Sequence, residues 1–325
     1  MKKFLAMFLT ALLVLSMGVV AMADADTTND DATVTITKTY KAVNGGVSPA
    51  ETFTFSAFTQ VDIKDNPDAT WPKDLPTITS IAYTEGAATA AGATATATIT
   101  LPTYTAVGVY TYSFNEVTPT TKTAGVTYNS TTLYLVVTVI EGTDDQLRVA
   151  AVHCEGSRTA GKYGQDPKTD KFENKYESGT LAVSKSVTGN MGDKSKYFNV
   201  TVTFEAADGE VINSTIKYSG GKYDEAVTVV DNTATIQVKD GDTVTFTNIP
   251  EGVTWKVEEA DYTKSDGYDE ATYDTQSGVM TVGGAATSTI TNNLLCLQDL
   301  CRLIQHIGIC ILVIAHAFVV LLFLD

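Results

Sequence analysis

A lysine, a glutamate and an asparagine occur where strand alternation points side chains towards an apolar face, and the trio then recurs in the same order. Positions two apart on a strand share a face. In Val34-Thr35-Ile36-Thr37-Lys38 the lysine therefore lies with Val34 and Ile36. Glu116 lies with Tyr112 and Phe114, and Asn174 with Phe172. Further along, Lys185 lies with Leu181 and Val183, Glu259 with Trp255 and Val257, and Asn292 with Ile290. Glu258 and Asn293 compete for the last two places, and strand parity with Trp255 and Ile290 selects Glu259 and Asn292.

Lone charges in an apolar core are costly. Each of the six residues is near the end of an apolar run, where a side chain can turn out to water. That accounts for any one of them, but poorly for the same trio twice. A covalent outcome accounts for the set. A lysine among apolar side chains is pushed towards its neutral, nucleophilic amine. A carboxyl group in such a core is pushed towards its protonated form, which can donate to an amide carbonyl and relay protons. The amine attacks the asparagine side-chain carbonyl carbon and the amide nitrogen departs as ammonia. The product is an isopeptide bond between the first and last strands of a domain. Such a reaction runs once and needs no cofactor.

Strands must position these groups. Between Ala32 and Asn293 the sequence shows short alternating runs, among them Phe53-Thr54-Phe55 and Leu133 to Ile140, and no convincing amphipathic helix. Turn signals such as Asn44-Gly45-Gly46, Ser219-Gly220-Gly221 and Asp240-Gly241-Asp242 separate them. This is the pattern of an all-β chain built from β-sandwiches. It occurs twice. TVTITKTYKAV (33–43) is answered by TLAVSKSVTG (180–189), and ETFTFSAF (51–58) by YFNVTVTF (197–204). GVYTYSFNEV (108–117) is answered by GVTWKVEEA (252–260), and KFENKY (171–176) by STITNN (288–293). The boundary falls near Tyr176 to Gly179, giving domains at 32–176 and 177–293. Part of the first copy's extra length is a loop from Glu155 to Asp170.

VTITK (34–38), GVYTYSFNE (108–116) and FEN (172–174), with LAVSKSVTG (181–189), GVTWKVEEADY (252–262) and TITN (289–292), resemble the major pilins of Gram-positive bacteria. That family, of the FctA type, is built from tandem self-crosslinking, CnaB-like Ig domains. The likeness spans roughly residues 32–293 and implies two tandem Ig-like β-sandwiches. It implies Lys38 bonded to Asn174 with Glu116 as catalyst, and Lys185 bonded to Asn292 with Glu259 as catalyst. It further implies a covalent homopolymer of pilin subunits, joined by a sortase through a lysine near the last strand of the first domain. Lys168, Lys162 and Lys171 are the candidates, and Lys168, just before the strand, is favoured. A monomeric cell-surface adhesin that binds a host ligand is the alternative with the same fold.

Composition narrows the field. With 22 Lys plus Arg against 38 Asp plus Glu, the net charge of −16 argues against nucleic-acid binding. Four cysteines in 325 residues exclude a disulfide scaffold. No repeated Ser/His/Asp, Cys/His or metal-ligand constellation supports a turnover enzyme. Lys2 and Lys3, the apolar run Phe4 to Val20 and Ala21-Met22-Ala23 read as a signal peptide (1–23), followed by a flexible leader (24–31). Its removal takes two lysines and no acids, leaving an exported chain near −18 bound for the cell surface, cell wall or pilus. The tail, 294–325, contains an apolar span long enough to enter a membrane, without an LPxTG-like motif before it or basic residues after it. That departure from the family's sorting signal suggests an altered gene end after Asn293, or a membrane-anchored variant.

Overall fold

A computed structural model describes residues 33–142, 146–158 and 166–295. The signal peptide, the leader, the tail from residue 296 and Lys162 lie outside them. Eleven strands precede the segment that joins the two halves. They are β1 (Thr33–Val43), β2 (Glu51–Phe53), β3 (Thr59–Lys64), β4 (Thr77–Ile78), β5 (Ile81–Tyr83) and β6 (Ala93–Thr100), then β7 (Gly108–Asn115), β8 (Lys122–Thr123), β9 (Val126–Thr127), β10 (Thr132–Glu141) and β11 (Leu147–Glu155). The joining strand is β12 (Lys171–Thr188). After it come β13 (Phe198–Glu205), β14 (Glu210–Val211), β15 (Lys217–Gly220), β16 (Tyr223–Thr228), β17 (Thr233–Val238) and β18 (Thr243–Pro250). β19 (Thr254–Glu259), a single helical turn α1 (Thr263–Asp266), β20 (Thr272–Tyr273), β21 (Ser277–Val279) and β22 (Ala285–Asn293) complete the fold. Among the described residues no helix is long and apolar enough to cross a membrane.

Each half is a sandwich. One long sheet runs through both halves in the order β16-β15-β18-β12-β1-β6-β4, with β22 and β9 also paired to β12. A four-stranded sheet, β11-β10-β7-β3, covers it in the first half, and another, β17-β13-β19-β21, covers it in the second. Inward-facing residues of the facing sheets form two cores. The first takes in Ile36, Tyr112, Phe114, Phe172 and Tyr176; the second takes in Leu181, Val183, Phe246, Trp255 and Ile290.

The boundary read from Tyr176 to Gly179 falls inside β12, which does not break there. Gly179 is required by packing: a Cβ would sit 2.3 Å from Met280 Sδ and 2.6 Å from the Gly284 carbonyl oxygen. The second copy's YFNVTVTF becomes a full strand beside β19, whereas only Glu51–Phe53 of ETFTFSAF is strand. Ser56 explains part of the difference. Its hydroxyl and N–H engage the Asn115 N–H and C=O, so a side chain takes a place the ladder would occupy.

The halves meet through a polar joint. Asn248, in the left-handed region with φ 62°, accepts from the Val47 N–H at 2.9 Å and donates to the Val47 carbonyl at 2.9 Å. It also donates to the Thr215 carbonyl at 3.1 Å and accepts from the Tyr176 hydroxyl at 3.2 Å. β8 of the first half pairs in parallel with β14 of the second, and Ala124 is buried in the second core.

Candidate functional site

Parallel pairing of first and last strands brings each lysine to its asparagine. β1 pairs in parallel with β12, and β12 in parallel with β22. Lys38 stands opposite Phe172, two residues before Asn174. Lys185 stands opposite Ile290, two residues before Asn292. The same two-residue offset in both halves puts the lysine and the asparagine on one face, diagonal to each other and within reach of a lysine side chain. The glutamates come from the covering sheets. Glu116 follows β7 and bridges to Phe55, and Glu259 ends β19.

In the first half, Lys38 Nζ lies 2.8 Å from Glu116 Oε2, with both side chains at 0% exposure. Asn174 Nδ2 donates to the other carboxylate oxygen, Oε1, at 2.5 Å. One carboxylate thus faces the lysine amine and the asparagine amide nitrogen with separate oxygens. The Asn174 carbonyl oxygen is buried with no hydrogen-bond partner. In the second half, Lys185 Nζ lies 3.0 Å from Glu259 Oε1 and donates to the Asn292 carbonyl oxygen. These side chains are as buried as those of the first set. Burial pushes the Lys38 amine down from 10.5 to about 8, against the opposing pull of Glu116. Burial also lowers the Lys185 amine, with Glu259 and then Asp240 opposing.

None of the six side chains turns out to water, so the strand-end reading is set aside. The structure places Glu259 and Asn292 beside Lys185 and their neighbours Glu258 and Asn293 elsewhere. Glu258 is exposed and pairs with Lys256 at 2.6 Å. Asn293 donates to Asp269 at 2.6 Å and accepts from the Thr188 hydroxyl at 3.1 Å, away from the cluster.

Two aromatic rings complete the sites and were not read from sequence. Lys38 Nζ sits 4.1 Å from the Phe53 ring centroid, and Lys185 Nζ 4.3 Å from that of Phe198. Each ring follows its lysine strand in the next aligned segment, ETFTFSAF or YFNVTVTF. That recurrence was the available signal, obscured by the one-residue shift between the two phenylalanines.

Of the linkage lysines, Lys168 and Lys171 are exposed. Lys168 bridges to Glu155 of β11, and Lys171 opens β12. Cys154 is buried and its thiol is pushed up to about 12 by that burial. His153 turns to the other face, 3.0 Å from Glu155.

Two tandem sandwiches, each burying a lysine, a glutamate and an asparagine in one cluster, define the class of fold and site. Residues 28–177 match the Spy0128-like isopeptide containing domain (FctA), and residues 179–294 match a domain of unknown function (DUF7601). The chain is 32% identical over 154 residues to a pilin of Streptococcus pyogenes serotype M1, covering 45% of this chain and 43% of that protein. It is 34% identical over 79 residues to the pilus tip adhesin Cpa of Streptococcus pyogenes, covering 24% of this chain and 11% of that protein. The chain thus spans less than half the length of these curated relatives. The crystal structure of the major pilin from Streptococcus pyogenes aligns with a TM-score of 0.57 at 25% identity, over 82% of this chain and 100% of that one.

Proposed function

We propose that the chain is a structural subunit of a Gram-positive surface pilus, with each half sealed by a Lys–Asn isopeptide bond. The observation that carries this reading is the repeated site: one lysine, one glutamate and one asparagine, equally buried, at the same register offset in both halves. Lys38 Nζ, as the neutral amine, attacks Asn174 Cγ. Glu116 takes the amine proton through one oxygen and returns a proton to Nδ2 through the other, and ammonia leaves as the Nζ–Cγ bond is completed. Lys185, Glu259 and Asn292 do the same in the second half. Lys and Asn become one amide, so two costly buried polar groups are replaced by a neutral pair.

Similarity to a major pilin and to a pilin supports assembly into a covalent homopolymer. Export and surface attachment, a sortase as the joining enzyme, and exposed Lys168 as the acceptor, ahead of Lys171 and Lys162, belong to the same proposal. Intact mass of residues 24–293 tests the crosslinks: two bonds remove two ammonia, about 34 Da. An unmodified mass overturns the crosslinking claim. A high-mass ladder on cells, lost in Lys168→Ala, tests the polymer, whereas a single monomer band favours a lone adhesin.

A further inference from the structure

In each half the lysine and the asparagine share one sheet, so ladder register fixes their relation. The glutamate belongs to the opposite sheet, and no ladder ties it to the asparagine. A short extra segment does so in both halves. In the first, β9 pairs antiparallel with β12, Thr127 opposite Lys175 and Val126 opposite Tyr176, beside Asn174. Two residues past β9, the Asn129 side-chain amide donates to the Glu173 carbonyl at 3.3 Å, while the Asn129 backbone N–H donates to Glu116 Oε1 at 3.4 Å. In the second, β20 pairs antiparallel with β22, Thr272 opposite Thr291 and Tyr273 opposite Ile290, beside Asn292. The Tyr273 hydroxyl accepts from the Glu259 N–H at 2.8 Å. Asp274 secures the segment, accepting from the Thr289 N–H at 2.6 Å. Glu259, Tyr273, Gln276 and Asn292 also line one cavity, into which ammonia can depart.

We propose that these two segments are straps that set each catalytic glutamate against its reacting asparagine, with Asn129 and Tyr273 as the positioning residues. The straps have different sequences and different bonds, yet each grips the asparagine's strand and reaches across to the glutamate. The proposal rests on the isopeptide reading above. Because the second strap reaches its glutamate by a bond of 2.8 Å and the first by one of 3.4 Å, the second half is expected to depend on its strap more.

The test follows crosslinking of the full chain after pulsed synthesis, with peptide mass mapping to count each bond separately. Tyr273→Phe is expected to slow the Lys185–Asn292 bond by at least about tenfold while the Lys38–Asn174 bond in the same molecule keeps its rate. Asn129→Ser keeps a short acceptor for the Thr131 N–H and loses the reach to Glu173; it is expected to slow only the first bond. A Lys185→Ala background separates positioning from folding: there Tyr273→Phe should leave the melting temperature unchanged. Glu259 and Asp240 are the charges that hold the proton on Lys185, so a loosened Glu259 should move the rise of the pH–rate curve to lower pH. Wild-type rates in both variants, with Glu116→Ala and Glu259→Ala inactive, overturn the straps and leave the crosslinks standing. So does a slow Tyr273→Phe whose pH–rate curve has not moved. A parent chain that loses no ammonia overturns the isopeptide reading and the straps with it.

Discussion

The two halves solve one problem with unequal means. The first has a longer chain between its glutamate and asparagine, an asparagine amide nitrogen bonded to the carboxylate, and an unpaired asparagine oxygen. The second is shorter, and its lysine already donates to the asparagine oxygen. Register offset, burial and the aromatic neighbour of the lysine are shared. The parallel first and last strands therefore place the cluster alike in both halves, while the connecting loops differ.

Removing the bonds should have the largest effect. Asn174→Ala and Asn292→Ala each leave the buried Lys–Glu pair in place and abolish one crosslink. By analogy with a disulfide closing a loop of this length, each is expected to cost its own half about 5 kcal/mol; Lys185 and Asn292 are 107 positions apart. Calorimetry should show one transition falling while the other holds, and a loss confined to a single half in both variants would break the equivalence. Asn248→Ala comes next. It deletes the bonds to Val47 and Thr215 and should cost about 1–3 kcal/mol, read as separation of two transitions that otherwise overlap.

The pH dependence is a smaller lever. The Lys38–Asn174 bond should form about tenfold faster per pH unit up to about 8 and then level off, since only the neutral amine reacts. In uncrosslinked Asn174→Ala the unfolded chain keeps the Lys38 proton up to 10.5 while the folded chain releases it at about 8, so stability rises with pH across that window. Mass kinetics and denaturant titrations at several pH values check both. Smallest of all, Glu258→Gln and Asn293→Ala should leave crosslinking intact and stability within about 0.5 kcal/mol. A lost bond in either would reverse the parity choice.

Period-two alternation made the six site residues and the tandem sandwiches legible, because a strand side chain has only two faces to choose from. It could not show that β12 serves both halves. Gly179 looks like a linker residue in sequence, and only the nearness of Met280 and Gly284 reveals why it is there. The two-residue strands β9 and β20 carry no period at all, so Asn129 and Tyr273 stayed hidden. Asn248 was equally silent: its role depends on a positive φ and on Val47, 201 positions away.

Sharing one strand also imposes an order in time on assembly. Synthesis delivers the amino end first, and β1 has no partner on its β12 side until residues 171–177 emerge. Once they do, the first sandwich can close, and its lysine and asparagine are both present before any of β13 to β22 exists. The remainder of β12 then stands ready as an ordered edge on which β18 and β22 can dock. The second half thus begins with its central strand already laid down.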